Sequence, residues 1–272
     1  MLTVMAGPDP ADPRTLGLPP VPDLVRAATA VGTGRRPRVR WPTRVGMIPG
    51  YVSGTGETSA ARAAFLDTLA DVRGLDVVDV PLPEDWALLT GGTFTNVRLP
   101  ERTEPFLPVM RQDLRLIGVS VTGWLQGALL GSAEFLTGQR AKNPLLQRVL
   151  DDTFSRCDVV LQTSPTPFDA IGLPELALPI GFTAAGLPIG TILGGLPSGE
   201  DRLLAVGAAY QAVTDRHLRR PADPAGAAPT GLAAASAARR APTSRPTGVR
   251  GAPAARPERG RLGAEELLEL MQ

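Results

Sequence analysis

The chain has 272 residues, 43% of them hydrophobic, and its 28 basic and 27 acidic residues give a formal net charge of +1. This length and apolar content suffice for one or two domains with a sizeable core. The near-neutral charge offers no electrostatic case for nucleic acid or an anionic membrane as a partner, and a single cysteine excludes an internal disulfide framework. We expect a cytoplasmic protein, because no apolar run approaches the roughly 20 residues of a membrane helix and the N-terminus lacks the layout of a signal peptide.

Residues 1–43 are predicted to be an irregular segment at the surface. Prolines are closely spaced there, and four arginines cluster between Arg35 and Arg40, next to Trp41. Basic residues beside an aromatic ring are one arrangement that binds nucleic acid, but four charges in a proline-flanked loop fit a solvated surface better. Residues 21–30 are predicted to form a short helix within this segment.

A strand, a helix and a second strand are predicted between residues 44 and 80. The two strands, residues 44–49 and 75–80, are short apolar or β-branched runs bounded by proline or glycine. The intervening helix is predicted to begin at a cap on Thr58 and to end at Gly74. Its apolar face comprises Ala61, Phe65, Leu69 and Val72. Such a unit pairs its strands in parallel with a right-handed crossover, which favours an α/β fold.

The next part of the chain combines helical and extended patterns. Helical spacing dominates residues 86–150, and a further helix is predicted from Asn143-Pro144 to residue 154. A β-branched strand follows at residues 157–163. Two later apolar runs are joined by a four-residue connection that contains Gly186, which is typical of an antiparallel hairpin. The predicted hairpin strands are residues 176–182 and 187–193. A last helix is predicted to begin at a capping-box variant at residues 198–201, and its apolar stripe comprises Leu203, Val206, Tyr210 and Val213.

The composition changes after residue 220. Residues 221–260 contain 13 Ala, 7 Pro, 6 Arg and 5 Gly and no aromatic residue, so they are unable to bury enough apolar surface to offset the entropy of ordering. We therefore predict a disordered linker at 221–260, followed by a short amphipathic helix at 261–272. The predicted organisation is an irregular segment 1–43, an α/β region 44–220, and this tail.

Few side chains have the chemistry of a metal or cofactor site. Cys157 and His217 are 60 positions apart and are the only residues of their types, whereas transition-metal sites draw on several such ligands. Cys157 is predicted to be a buried structural thiol, and His217 to be a basic residue at a helix end. Lys142, the only lysine, is predicted to be a surface charge. We expect no metal and no cofactor.

Three motifs resemble the amidase signature family, in the order in which that family has them. They are AGPDPADP at residues 6–13, CDVVLQTSPTP at 157–167 and GLPIGTILGG at 186–195. The resemblance covers nearly all of residues 1–221 and corresponds to the C-terminal half of the family. It implies an α/β fold with a partial mixed β-sheet flanked by helices, besides the disordered tail.

The resemblance also implies which parts of the amidase machinery belong elsewhere. The family hydrolyses amides or transfers their ammonia with a nucleophilic serine, a second serine in a cis peptide and a lysine, and all three precede the GPDP motif. No catalytic residue therefore carries over to this sequence, and the implied partner is a complementing N-terminal half. Segments after the TSPTP strand lie near the substrate in the family, which makes Thr166, Phe168 and Ile171 candidates for a pocket wall, although they are equally explained as a turn between strands.

Two functions are compatible with these observations. The first is a C-terminal fragment of an amidase signature protein, inactive by itself, that binds a small amide substrate only when completed. The second is a non-enzymatic interaction module that keeps the α/β scaffold and binds a partner through its tail.

Overall fold

The computed structural model describes residues 2–5, 7–32, 37–118 and 121–220. The predicted linker 221–260 and the predicted helix 261–272 lie outside the described residues. The helices are α1 (Leu2–Met5), α2 (Leu24–Ala27), α3 (Glu57–Ala70), α4 (Trp86–Thr90), α5 (Gly92–Thr103), α6 (Leu107–Gln112), α7 (Val121–Leu129), α8 (Ser132–Arg148) and α9 (Glu200–Gln211). The strands are β1 (Arg38–Met47), β2 (Arg73–Asp79), β3 (Val159–Gln162), β4 (Glu175–Phe182) and β5 (Pro188–Gly195).

Within the described residues, five strands form one mixed sheet in the order β2-β1-β3-β5-β4. β1 pairs in parallel with both β2 and β3, with Val45 opposite Val77 on one side and Val159 on the other. β5 pairs antiparallel with β3 and with β4. The parallel unit, the antiparallel hairpin and the mixed sheet flanked by helices are therefore as the sequence predicts.

β1 begins at Arg38, six residues earlier than predicted, so the strand crosses the boundary expected between residues 43 and 44. The first part of β1 is held by side-chain packing as well as by its hydrogen bonds with β2. Val39 is buried, and Trp41 packs against the core. The guanidinium of Arg202 lies 5.3 Å from the Trp41 ring centroid and donates to the Pro42 carbonyl at 3.1 Å. The pairing with β2 shifts register between Arg38 and Thr43, where Pro42 has no N–H to donate.

Helices α3 and α9 cover the same face of the sheet. Phe65 of α3 and Tyr210 of α9 are both buried and meet edge to face, with ring centroids 4.8 Å apart. The predicted apolar face of α3 is buried at Phe65 and Leu69. The helix begins one residue before Thr58, with Gly56 at its cap position, and it ends at Ala70, so Gly74 lies inside β2 instead of closing the helix.

Helices α4 to α8 lie in the connection from β2 to β3, where the sequence predicts helical structure. Residues 143–153 are helical, as predicted, but no helix starts at Asn143, because α8 begins at Ser132, runs through Pro144 to Arg148 and continues as a π-helical turn over Val149–Thr153. A proline inside a helix costs about 3 kcal/mol. Complete burial of Leu145 and Val149 offsets that cost, since each contributes roughly 1.5–3 kcal/mol.

The order in which the chain adds strands to the sheet reverses between β1 and β3. The chain moves from β1 outward to β2 through α3, and then back past β1 to β3 through α4 to α8. Right-handed crossovers in opposite directions place their helices on opposite faces. The carboxyl ends of β1 and β3 therefore flank a crevice, which is where open α/β sheets bind ligands.

Candidate functional site

A cavity of about 270 Å³ lies at the carboxyl ends of β1 and β3. Its wall comes from three stretches of chain: the residues after β1, the segment from the end of β2 into α4, and the loop after β3. The lining residues are Ile48, Pro49, Leu82, Trp86, Thr90, Thr163, Ser164, Thr166, Pro167 and Phe168. A second depression is formed by the consecutive residues 212–216 alone, so no distant side chains converge there.

The loop after β3 supplies half of the cavity wall. The Thr166–Pro167 peptide bond is cis, and the Thr166 hydroxyl donates to a carboxylate oxygen of Asp169 at 3.2 Å. The loop then turns inward, so that Phe168 is only 2% exposed. Its ring meets that of Trp86 with centroids 5.5 Å apart and planes inclined at 43°.

The three candidate wall residues occupy two different places. Thr166 and Phe168 line the cavity. Ile171 is 8% exposed and belongs to the hydrophobic core, in the 3₁₀ turn Asp169–Ile171 that follows the loop. It is not among the residues that line the cavity. Its side chain is therefore placed to support the loop from behind, because the turn carries it into the core.

Sequence reasoning missed the part of the wall that comes from β1 and α4. Ile48 and Pro49 directly follow β1, and Trp86 and Thr90 are the first and last residues of α4. Ile48 and Pro49 had a usable signal, because the residues after two adjacent parallel strands meet at one edge of the sheet. Trp86 had no such signal. It lies 82 positions before Phe168 in the chain, and only the packing of α4 brings the two rings together.

A buried amide connects the loop after β3 to the start of β4. Gln162 is 1% exposed, and its amide, oriented so that both contacts are satisfied, donates from its nitrogen to Glu175 Oε1 at 2.7 Å and to the Ser164 carbonyl at 3.0 Å. Burial and, secondarily, the nearby charge of Asp169 raise the pKa of the Glu175 carboxyl to about 7, while the hydrogen bond from Gln162 acts in the opposite direction. Gln162 thus holds the cavity loop at Ser164 and links it to a carboxyl that titrates near neutrality.

The raised pKa of Glu175 predicts a pH dependence of stability. The folded state holds this proton to about pH 7, whereas an unfolded glutamate loses it near pH 4.3, so the free energy of unfolding falls as pH rises between these values. Because the side chain is only partly buried, solvent screening reduces the effect to about 1 kcal/mol. We test this with Glu175→Gln, which keeps the oxygen acceptor for Gln162. Urea unfolding is expected to show that, from pH 5 to pH 8, the free energy of unfolding of this variant falls by about 1 kcal/mol less than that of the wild type. Equal losses in the two proteins would contradict this assignment.

The side chains that line the cavity carry hydroxyl groups, and the Asp169 carboxylate beside the cavity accepts a hydrogen bond from one of them, the Thr166 hydroxyl. Among the described residues that line the cavity there is no lysine, histidine or carboxylate. Lys142 is half-buried on α8, and His217 is exposed in the turn Arg216–Leu218. Cys157 is fully buried next to β3, and burial raises the pKa of its thiol to about 12. Cys157 therefore has the character of a structural thiol, as the sequence predicts.

Two further properties of the described residues bear on the chemistry. Within residues 2–5, 7–32, 37–118 and 121–220, no cluster of three His, Cys, Asp or Glu residues is arranged to hold a metal ion. In the same ranges, no helix is both long enough and apolar enough to cross a bilayer.

The fold and the cavity define the class of protein: an α/β protein whose mixed sheet has a crevice at the carboxyl ends of its parallel strands, the position at which open α/β sheets bind ligands. The chain is 31% identical over 252 residues to an amidase from Pseudomonas putida. This alignment covers 81% of the present chain and 52% of the amidase. No family model matches the chain.

Solved structures agree on the fold. The peptide amidase PAM, in complex with the competitive inhibitor chymostatin, aligns with a TM-score of 0.61 at 18% identity, over 79% of this chain and 51% of that one. The 6-aminohexanoate cyclic dimer hydrolase, complexed with substrate, aligns with a TM-score of 0.53 at 19% identity, over 78% of this chain and 52% of the hydrolase. These matches confirm the resemblance to the amidase signature family, and the chain spans about half the length of the relatives that it matches.

Proposed function

We propose that this chain is the C-terminal portion of an amidase that cleaves carboxamide C–N bonds, by hydrolysis or with transfer of the ammonia, and that the cavity at β1 and β3 is its part of the amide pocket. The observation that carries the proposal is the TSPTP segment, one of the three family motifs. Its residues Thr163, Ser164 and Thr166 line a cavity at the sheet edge where ligands bind.

The composition of the cavity supports a shared active site. A serine nucleophile needs an adjacent base, and an oxyanion needs preorganised donors. The described wall has the hydroxyl of Ser164 but no lysine or histidine next to it. A volume of about 270 Å³ also falls short of the roughly 300–1,000 Å³ of complete ligand pockets. The nucleophile, the second serine, the lysine and the remaining wall would come from residues that this sequence does not contain.

The sheet offers places for the complementing portion to dock. β2 and β4 are the edges of the sheet, and within the described part of the chain each has one strand neighbour. Unpaired edges bind further strands readily. The complementing portion, whether on the same polypeptide or on another, is the partner that we propose. The compartment that we propose is the cytoplasm.

An ammonia-release assay tests this function. We expect purified residues 1–272 to release no ammonia from benzamide or propionamide, because the nucleophile and its base are both absent. Co-expression with the part of the Pseudomonas putida amidase that the match leaves uncovered is expected to give measurable release. Turnover by the isolated chain that disappears in Ser164→Ala would contradict the proposal, since the nucleophile would then lie in this chain.

The interaction module remains the alternative, and the two open sheet edges also favour it, because they accept a partner strand whether or not chemistry follows. The same co-expression separates the two functions. A stable complex that releases no ammonia from either amide supports the module, whereas release supports the amidase.

A further inference from the structure

The side chain of Gln162 connects β3 to β4 across the strand that lies between them. That strand is β5, and its residue Gly194 is opposite both Val160 of β3 and Glu175 of β4. A Cβ at position 194 would overlap the Gln162 amide group, so the glycine is what allows the amide to pass over β5. The amide nitrogen then donates to Glu175 Oε1 at 2.7 Å and to the Ser164 carbonyl at 3.0 Å. Glu175 is therefore fixed to the start of the loop after β3.

A second carboxylate, that of Asp169, holds the other end of the same loop. One of its oxygens accepts from the Thr166 hydroxyl at 3.2 Å, and the other accepts from the Ala170 N–H at 2.7 Å. The Asp169 N–H donates to the Pro165 carbonyl at 3.2 Å. Burial is the main cause of the raised pKa of Glu175, and the negative charge of Asp169 is the second cause. The two carboxyl groups thus interact across the loop.

The charge that Glu175 gains on ionisation acts on Asp169 in particular. The neighbouring strands β3 and β5 contain no charged residue. The other elements that contact β4 are α3, α9 and the turn Arg216–Leu218. Their charged residues do not affect the pKa of Glu175, and they are Glu57, Arg62 and Asp67 of α3, Glu200, Asp201 and Arg202 of α9, and Arg216 and His217 of the turn.

The two carboxyl groups differ in their freedom to move. Gln162 is 1% exposed and Glu175 is half-buried, whereas Asp169 is exposed. Ionised Glu175 still accepts from the Gln162 amide, and a charged acceptor strengthens that bond. The repulsion between two like charges is therefore relieved at Asp169, which turns toward water. The contact that this movement breaks is the 3.2 Å hydrogen bond from Thr166.

We infer that Glu175 is a positioning residue that controls the Thr166 hydroxyl through Asp169. Protonated Glu175 leaves this hydroxyl bonded to Asp169, whereas ionised Glu175 releases it. Thr166 lines the cavity, so the release adds a free hydroxyl group to the cavity wall as the pH rises through neutrality. The inference goes beyond the proposed function, because it concerns the loop itself and holds whether or not the cavity binds an amide.

Methyl NMR of the full chain, labelled at its threonine methyl groups, tests the inference. We expect the Thr166 signal, assigned with Thr166→Ser, to show a step in chemical shift centred near pH 7. The step should be absent in Glu175→Gln, which carries no charge at any pH. The Thr90 methyl is an internal control, because Thr90 lines the cavity from α4 and its hydroxyl donates to the Trp86 carbonyl at 2.6 Å. Its signal should show no such step.

Two further variants separate the contribution of each group. Asp169→Asn keeps an acceptor for Thr166 but removes the second charge, so the step should lose at least half of its size. It should also move to lower pH, because a neighbouring negative charge disfavours ionisation of Glu175. His217→Asn removes the only histidine, the residue type that ordinarily titrates in this range. This variant should keep the full step.

The possible results are distinct. Absence of a step at Thr166 in the wild type, a step that survives Glu175→Gln, or a step lost in His217→Asn would overturn the inference. An equal step at Thr90 would also overturn it, since the whole cavity would then be changing. If Glu175→Gln fails to fold, Asp169→Asn decides the question, because a step of full size in that variant rejects the role of Asp169. None of these results depends on ammonia release, so the amidase function and this inference stand or fall separately.

Discussion

Gly46→Val is expected to destabilise the protein by about 3–5 kcal/mol, because the new side chain overfills the centre of the sheet. A Cβ at position 46 would lie 2.7 Å from Cys157 Sγ, 2.9 Å from Cys157 Cβ and 2.9 Å from Val80 Cγ1. All three atoms belong to fully or almost fully buried residues, so none of them is free to move aside. Gly46 also lies next to Met47, the last residue of β1, so the strain falls beside the cavity.

The single cysteine gives a direct measurement of this effect. Burial raises the pKa of Cys157 to about 12, so the native thiol reacts with a disulfide reagent at pH 8 only when the structure opens. Since 1.4 kcal/mol corresponds to a factor of ten, we expect Gly46→Val to react roughly 100–4,000 times faster than the wild type. Urea unfolding should show the matching loss of stability.

Gly190→Val in β5 is the matched control. The Cβ at that position would meet only the Leu178 carbonyl oxygen, at an ordinary 3.5 Å, and valine suits a strand. We expect a change within about 1 kcal/mol and little effect on the thiol. If both variants behave alike, the close approach of Cys157 and Val80 to Gly46 does not limit stability.

Gly127→Ala is expected to separate α7 from α5, at a cost of about 2–4 kcal/mol. A Cβ at position 127 would overlap the Leu99 carbonyl group, with its carbon only 2.7 Å away, and the hydroxyl of the buried Thr103. Backbone atoms of a neighbouring helix have no alternative rotamer, so the helices must move apart. Thermal or urea unfolding of the purified variant measures the cost.

Gly123→Ala, one turn earlier on α7, is the control for this prediction. Its Cβ would meet the end of the Arg102 side chain at 2.9 Å, and moving that guanidinium costs at most its contact with the Trp124 ring, 4.5 Å away, which is worth about 0.5–1 kcal/mol. Alanine is also the better helix former by about 1 kcal/mol, so we expect this variant to be neutral or slightly more stable. Equal destabilisation by the two substitutions would show that the α5–α7 contact is not the cause.

Local patterns were sufficient to predict most of the elements, because periodicity is a property of neighbouring residues. The parallel unit of β1, α3 and β2 and the β4–β5 hairpin follow from runs of a few residues and their turn signals. The errors arose where distant packing overrides a local signal. Pro144 does not begin a helix, because burial of Leu145 holds α8 together around it, and β1 starts early because Arg202 packs on Trp41.

The sequence by itself determined the α/β class, the three family motifs and the absence of a lysine or histidine beside the TSPTP segment. Only the tertiary structure decided that Thr166 and Phe168 face a cavity while Ile171 enters the core, and that Trp86 and Ile48 complete the wall. The physical reason is that the order of strands in the sheet and the path of its crossovers bring together residues that lie far apart in the chain. No short-range pattern records where such residues meet.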